Sequence, residues 1–571
     1  MRQRPSTHLL ILLSLFLLNG LAYLAIHRAG LERGFASSVP LALGQLALFL
    51  PLGAIFIWLA RRGYRGDWTL LTVAILLFGV GQFMQYRLFT DPEYRGRGGN
   101  SEARKAREAK AETSRQRGIN EFYDAEKKQS LFRDPNYQIP ISEAQPEEPA
   151  PPSRPEVGAQ TGLELMVKSV LKPLLALVGL ILAIVLVGQD RILIVLQRNS
   201  FVIGLLTIIV FIPLLAFSSG GKFFGGTTPW EPVKVTFLAS YAGILADHYR
   251  KLSQTRWGLP PWRFLLPLLL IAAMPVAAFL LLKDFGQLLV FLGVYLTLYL
   301  VAVRRLRQLT IAVIPVAVLL GISLLGVGIY SRVAKKTEQQ EVNSQTLLTR
   351  MSELVSQGIP IRIHQRFHLW LKGSEPPDLQ KDWWWRKSTI PDPENNQKRI
   401  TIEDYLKQNQ SDDPNSEQGK NRDLWYKSFA YQPLQALFGI SGGRLVGKGL
   451  GRGYPESVPI ADSDFIFAAL TEEMGVLGGI VVLLGLLLLV MAGTRTAIEA
   501  PDMFTKLLAA GITAFLGFQA IVNIGGVIKM LPMTGITLPF VSHGGWARLT
   551  TFTMLGILMA ISHRNRTIKE V

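Results

Sequence analysis

No cysteine occurs in the 571 residues, which excludes disulfides and thiolate metal sites whatever the compartment. Only non-covalent packing can hold the chain together. Charge is also scarce: Asp, Glu, Lys and Arg make up 18% of the chain against 49% hydrophobic residues. The charges gather in a few segments, and the stretches left between them are too apolar for water. That is the distribution of a membrane protein.

An apolar helix needs about 20 residues to cross roughly 30 Å of hydrocarbon. About twelve runs of that order are present: Leu9 to Ile26, Val39 to Ala60, Trp68 to Met84, Leu171 to Val187, Phe201 to Phe217, Val233 to Ala246, Phe264 to Leu282, Phe285 to Val303, Ile311 to Tyr330, Phe465 to Met491, Phe504 to Val527 and Trp546 to Ile561. The sixth is short and the tenth carries acids. "MRQRPSTH" is also the basic lead-in of a secretory signal, but no clear small-x-small cleavage site follows. The chain therefore reads as an all-α polytopic membrane protein.

Lys and Arg in short loops mark the cytoplasmic side. With the N-terminus inside, the segments "RRGYRGDW", "QDRILIVLQRNS", "DHYRKLSQTRWGLPPWR", "RRLRQL", "GTRTAIEAPDMFTK" and "HRNRTIKEV" all fall inside and all are basic. Five regions result: N-terminal membrane helices (1–90), a hydrophilic, partly disordered outer linker (91–165), a first core part (166–330), a large outer loop with an insert (331–462) and a last core part (463–571). The net charge of +18 then points to anionic head groups or a negatively charged outer substrate rather than to nucleic acid. Residues 100–130 favour helix but lack an apolar stripe, and a proline-rich tether follows. In the second insert, "KDWWWRKS" fits either the membrane interface or a small folded subdomain.

Two motifs fail on inspection. "GGRLVGKGLG" has Gly442, Gly447 and Lys448 at phosphate-loop spacing, but Gly449 stands where a hydroxyl must bind magnesium and no strand precedes it. His364 and His368 lie four apart without the glutamate of a zinc-peptidase helix or a third ligand nearby. What remains are carboxylates beside apolar runs, each costing about 2.5 to 3.5 kcal/mol at a bilayer centre. Glu231, Asp284 and Asp464 fall at outer helix ends, with Glu472 and Glu473 two to three turns deeper, so all five can line one outward cavity. Each has a plainer reading. Asp284 can cap the next helix, with Gln287 completing a capping box; Asp464 can cap the helix from Phe465; Glu231 can be a first-turn acid. Glu472 and Glu473 point to different faces of one helix, so at least one needs a Lys or Arg partner or a proton.

Taken together, five motifs in order resemble the SEDS family, the RodA, FtsW and SpoVE group that polymerises peptidoglycan from lipid II. They are "PWEPVK", "KDFGQ", "YQPLQALFGISGGRLVGKGLG", "DSDFIFAALTEEMG" and "QAIVNIGGVIKMLPMTGITLPFVSHGG". The resemblance runs from about residue 165 to the C-terminus, excluding the insert near 374–424. It departs at Lys283, where proline is usual, and at His543 and Trp546, where tyrosine and serine are usual. It implies a core of ten membrane helices plus about two more, in the bacterial cytoplasmic membrane with both termini inside.

The resemblance also implies an inverting glycosyltransferase that joins lipid II units at the outer membrane face, for elongation or division. An inverting displacement needs a base on the acceptor oxygen, a task carboxylates perform in glycoside hydrolysis, and positive charge on the leaving diphosphate. Asp284 is the implied base. Lys234, Arg366 and Lys448 are candidates for the diphosphate, and a divalent cation (Mg or Mn) is the one cofactor left open. Lys283 either lowers the pKa of its neighbour or faces head groups. Glu231 with Lys234 fits an ion pair as well as a substrate site. Asp464, Asn523, Ser542 and His543 complete the substrate-site candidates, while Glu472 and Glu473 read as cavity-lining or structural. The implied partner is a class B penicillin-binding protein, a transpeptidase. Two other classes stay open, a flippase for the lipid-linked precursor and a scaffold without activity of its own.

Overall fold

The computed structural model describes residues 5–33, 38–91, 94, 170–216, 230–253, 261–281, 284–303, 361–373, 375–379, 381–391, 399–408 and 414–569. The chain begins with α1 (Pro5–Glu32), α2 (Val39–Ala47), α3 (Phe49–Arg61) and α4 (Trp68–Thr90). After residue 169 come α5 (Lys172–Val187), α6 (Asp190–Arg198), α7 (Ser200–Ala216), α8 (Trp230–Ser253), α9 (Trp262–Leu281) and α10 (Phe285–Val303). Helices thus cover every predicted apolar run except Ile311 to Tyr330, which lies outside the described residues. So do most of 91–165 and Lys283.

Among the described residues, six helical segments are long and apolar enough to span a membrane, or seven if α5 and α6, bent by 88°, form one span. The expectation of about twelve spans also rests on runs that lie partly or wholly outside the described residues. α8 carries ionisable side chains along its length, and the apolar lengths Ser200–Ile209 and Arg263–Ala273 are shorter. The protein is a multi-pass membrane protein.

Short polar side chains start several helices by accepting their first free amides. Asp67 Oδ1 takes the Thr69 N–H at 3.0 Å to open α4. Small residues then let helices approach closely. A Cβ on Gly556 would stand 2.6 Å from the Leu180 carbonyl oxygen, and one on Gly179 would stand 2.7 Å from Leu549 and Thr553.

The second insert holds α11 (Ile361–Lys372), α12 (Trp383–Arg386), β1 (Thr389–Pro391), β2 (Arg399–Thr401), α13 (Ile402–Gln408) and α14 (Pro414–Trp425). The two strands pair antiparallel, with Ile390 opposite Ile400. Trp384, Trp385 and Trp425 are buried in a second core with Leu369, Ile390, Ile400 and Ile402. Both Trp385 and Trp425 satisfy their indole N–H inside it, on Asn421 Oδ1 at 2.6 Å and on the Gly373 carbonyl at 3.1 Å. Of the two readings of this tryptophan cluster, the folded subdomain holds.

The chain re-enters the main body through α15 (Tyr431–Gly443), α16 (Ile466–Glu499), α17 (Met503–Val527) and α18 (Gly545–Lys569). Inside α16, Gly475 takes φ 69°, a left-handed conformation that breaks the helix and frees groups on both sides of it. The glycine-rich loop after α15 takes them up. Lys448 and Gly449 donate to the Glu472 and Glu473 carbonyls at 3.0 and 2.9 Å, while Val476 and Leu477 donate to the Arg444 and Leu445 carbonyls at 2.9 and 3.2 Å. Gly447 and Gly475 meet backbone against backbone, leaving no room for a Cβ. The loop's amides at 448 and 449 are therefore committed to a helix, which closes the phosphate-loop reading.

Candidate active site

Asp284 stands between α9 and α10. Its Oδ1 accepts the Gln287 backbone N–H at 3.2 Å, so the predicted cap forms. The capping box does not: the Asp284 N–H donates to the Phe279 carbonyl at 2.9 Å, and Gln287 Oε1 has no partner among the described residues. No described hydrogen bond falls on Asp284 Oδ2, and the side chain is half-buried. Burial pushes this carboxyl up, against the Gln287 N–H and the charges of Lys234 and Arg366, with Glu231 adding to the rise. Four of the residues singled out in the sequence thus act on one another here.

Glu231 and Lys234 sit in the first turns of α8. They close a buried ion pair, Lys234 Nζ to Glu231 Oε1 at 2.6 Å, and Lys234 Nζ also lies 5.2 Å from the centre of the Phe515 ring on α17. Arg366, on α11, donates to the Thr534 carbonyl at 3.3 Å. The loop 534–536 is the common wall: a Cβ on Gly286 would come within 2.6 Å of both Thr534 and Ile536. Asn523 ties the same wall to α16, donating to the Ile536 carbonyl at 2.5 Å and the Asp464 carbonyl at 3.0 Å. Asp464, Asn523, Thr534 and Ile536 line one narrow cleft, and Arg366 with Lys529 lines an adjoining one.

The side chains of the candidates also make contacts that the sequence did not predict. Asp464 does not cap α16, whose N-cap Phe465 has no side-chain bond; its Oδ1 accepts Ser463 Oγ at 3.0 Å instead. Ser542 donates to the Ser463 carbonyl and accepts the Leu538 N–H, and His543 packs edge-on against Phe89 with Nδ1 3.3 Å from Gln85 Oε1. Both hold a loop in place. Lys448 is paired with Glu472 at 2.7 Å. Both deeper acids have partners: Glu472 Oε1 also accepts the Tyr454 N–H, and Glu473 pairs with Arg87 at 2.8 Å.

Arg87 is a residue that sequence reasoning missed. It is fully buried on α4 and pairs with Asp91, Glu456 and Glu473 at 2.6, 3.1 and 2.8 Å. The signal was available in "QYRLFTD", because an arginine within a spanning run requires acids around it. A larger cleft between α10, α16 and α17 contains Lys506 and several threonines but no carboxylate among its lining residues. It offers no base. Among the described residues no three His, Asp or Glu side chains gather as a metal site.

Residues 409–567 match the model of a family described as cell cycle protein, FtsW/RodA/SpoVE. The curated "Peptidoglycan glycosyltransferase RodA" of Mycobacterium tuberculosis is 42% identical over 148 residues, 25% of this chain and 32% of that protein. "Stage V sporulation protein E" of Bacillus subtilis is 38% identical over 138 residues, 24% of this chain and 38% of that protein. The aligned stretch is thus about a third of the length of these curated relatives, 32% and 38%. A solved structure, described as "Structural coordination of polymerization and crosslinking by a peptidoglycan synthase complex", superposes with a TM-score of 0.43 at 19% identity over 71% of this chain and 90% of that chain. Asp284 lies before the stretch matched in sequence, so its role is argued from its own surroundings.

Proposed function

We propose, from a chain whose C-terminal segment, residues 409–567, belongs to the FtsW/RodA/SpoVE family, that the protein is a peptidoglycan glycosyltransferase polymerising lipid II at the outer face of the bacterial cytoplasmic membrane. Both termini face the cytoplasm in this reading, and a class B penicillin-binding protein crosslinks the product. The observation that carries the proposal is the division of labour at Asp284: Oδ1 caps α10 while Oδ2 stays available beside Lys234 and Arg366.

The 4-hydroxyl oxygen of the acceptor sugar attacks the anomeric carbon of the donor. Asp284 Oδ2 takes the hydroxyl proton as the new C–O bond forms, the bond to the diphosphate breaks on the opposite face, and undecaprenyl diphosphate leaves with the electron pair. Burial makes the carboxylate a stronger base than one in water, and general base catalysis of this kind contributes about 10²- to 10⁴-fold. Arg366 supplies charge toward the leaving group. A divalent cation would supply further positive charge on the leaving diphosphate and would be held chiefly by the substrate's own phosphate oxygens.

Asp284→Asn separates capping from catalysis, since Asn caps a helix about as well as Asp but takes no proton. Purified chain in liposomes, supplied with lipid II with and without the transpeptidase partner, is expected to make glycan polymer, and Asp284→Asn to lose at least about 10²-fold with unchanged thermal stability. Polymer from Asp284→Asn at the wild-type rate removes the base assignment. Lipid scrambling without any polymer, lost on mutation of Asp284, makes the protein a flippase instead.

A further inference from the structure

Two cations suited to a diphosphate are already compensated. Lys234 is held by Glu231 at 2.6 Å and Lys448 by Glu472 at 2.7 Å. Lys529 differs. It follows α17 with φ 63°, a left-handed conformation that a residue with a Cβ rarely takes without a reason. Its carbonyl accepts the Trp370 indole N–H at 3.1 Å, which fixes α11 across the end of α17. Its ammonium group crosses Gly373, where a Cβ would come within 2.6 Å of Nζ. Lys529 is half-buried, and among the described residues no carboxylate lies within ion-pair distance of it. A partly desolvated ammonium without a counter-charge attracts an anion more strongly than one in open water.

The surroundings narrow the choice of anion. Lys529 and Arg366 line one open cleft, and the rest of its wall is apolar, including Leu369, Trp370, Leu531 and Met533. That cleft shares Gly526, Val527 and Met533 with the cleft that holds Asp464 and Asn523. The Arg366 charge is also felt at Asp284. Two cations against an apolar wall, next to a carboxylate, suit a diphosphate carrying a hydrocarbon tail.

We propose that Lys529 and Arg366 together bind the diphosphate of a polyprenyl diphosphate, with the strained backbone at 529 holding the ammonium over Gly373. The identity of the lipid rests on the polymerase reading; the cation pair does not. Lys529 is a binding residue in this proposal and takes no part in proton transfer.

The test uses the full chain in nanodiscs of neutral lipid, titrated with undecaprenyl diphosphate, undecaprenyl phosphate or phosphatidylglycerol, without any acceptor sugar. Lys529→Gly relieves the backbone and removes the charge, so it is expected to keep or raise the melting temperature while weakening undecaprenyl diphosphate binding about ten-fold or more. Lys529→Arg is expected to retain binding, Lys529→Gln to lose it with the native backbone strain kept, and Lys407→Gln, on the exposed insert, to change nothing. Equal diphosphate affinity in Lys529→Gly, Lys529→Gln and wild type overturns the proposal. So does phosphatidylglycerol binding as tightly, and with the same Lys529 dependence, because the site would then serve bulk head groups. Lys529-dependent diphosphate binding by a protein that never makes polymer keeps this proposal and removes the polymerase reading.

Discussion

Capping a helix and accepting a proton are competing demands on one carboxylate, and at Asp284 they fall on different oxygens. A cap is worth about 0.5 to 2 kcal/mol of stability and a general base about 10² to 10⁴ in rate, so stability and rate report the two roles separately. The same logic applies to Glu231 and Lys234, whose spacing alone fits an ion pair or a substrate site. The buried pair forms at 2.6 Å. Lys234→Met leaves a buried, unpaired carboxylate and is expected to cost about 3 to 5 kcal/mol, while adding Glu231→Gln to it restores most of that loss. Thermal unfolding in detergent measures both. A double variant no more stable than Lys234→Met would show that the pair contributes no more than its separate parts.

The turns that follow the glycine-rich loop after α15 show an element whose stability depends on acidity. Burial, with Asp91 beside it, pushes the Glu456 carboxyl from 4.5 up to about 7, against Arg87 and Arg33. A carboxyl raised in the folded state stabilises it while protonated. That contribution is complete below the unfolded value and is lost as pH rises through about 7. Melting temperature is therefore expected to fall between pH 5 and 8 more steeply in wild type than in Glu456→Gln; equal slopes would rule Glu456 out as the group. Elements like this were only half legible in the sequence. The Asp-x-x-Gln spacing gave the Asp284 cap, because capping is local, and the missing hydroxyl at Gly449 rightly refused a phosphate loop. The break at Gly475 left no sign, since a glycine in an apolar run is ordinary and its partners lie some thirty residues earlier in "GGRLVGKGLG". The N-cap expected of Asp464 failed for a related reason: its carboxylate is engaged by Ser463 Oγ.

At the scale of the whole molecule, apolar run length located the helices, and loop charge gave an orientation. It did not reveal how the first ninety residues join the rest, because ion pairs across hundreds of residues have no local pattern. Arg87 makes that join: on α4, it reaches Glu456 and Glu473, while Arg33 after α1 reaches Glu456 at 2.9 Å. α4 is also the most enclosed spanning segment, with 89% of its apolar window buried. Contacts between these parts do not run through the chain connection between residues 95 and 165, so the two are expected to stay together when it is cut. A protease site placed there and cut in the purified protein is expected to give two fragments that co-purify through salt and detergent, and Arg87→Gln to let them separate. Fragments that part spontaneously from the wild-type chain would contradict this. Arg87 thus makes two polypeptides out of one, in the sense that matters for expression: halves produced from separate genes should find each other in the membrane and complement.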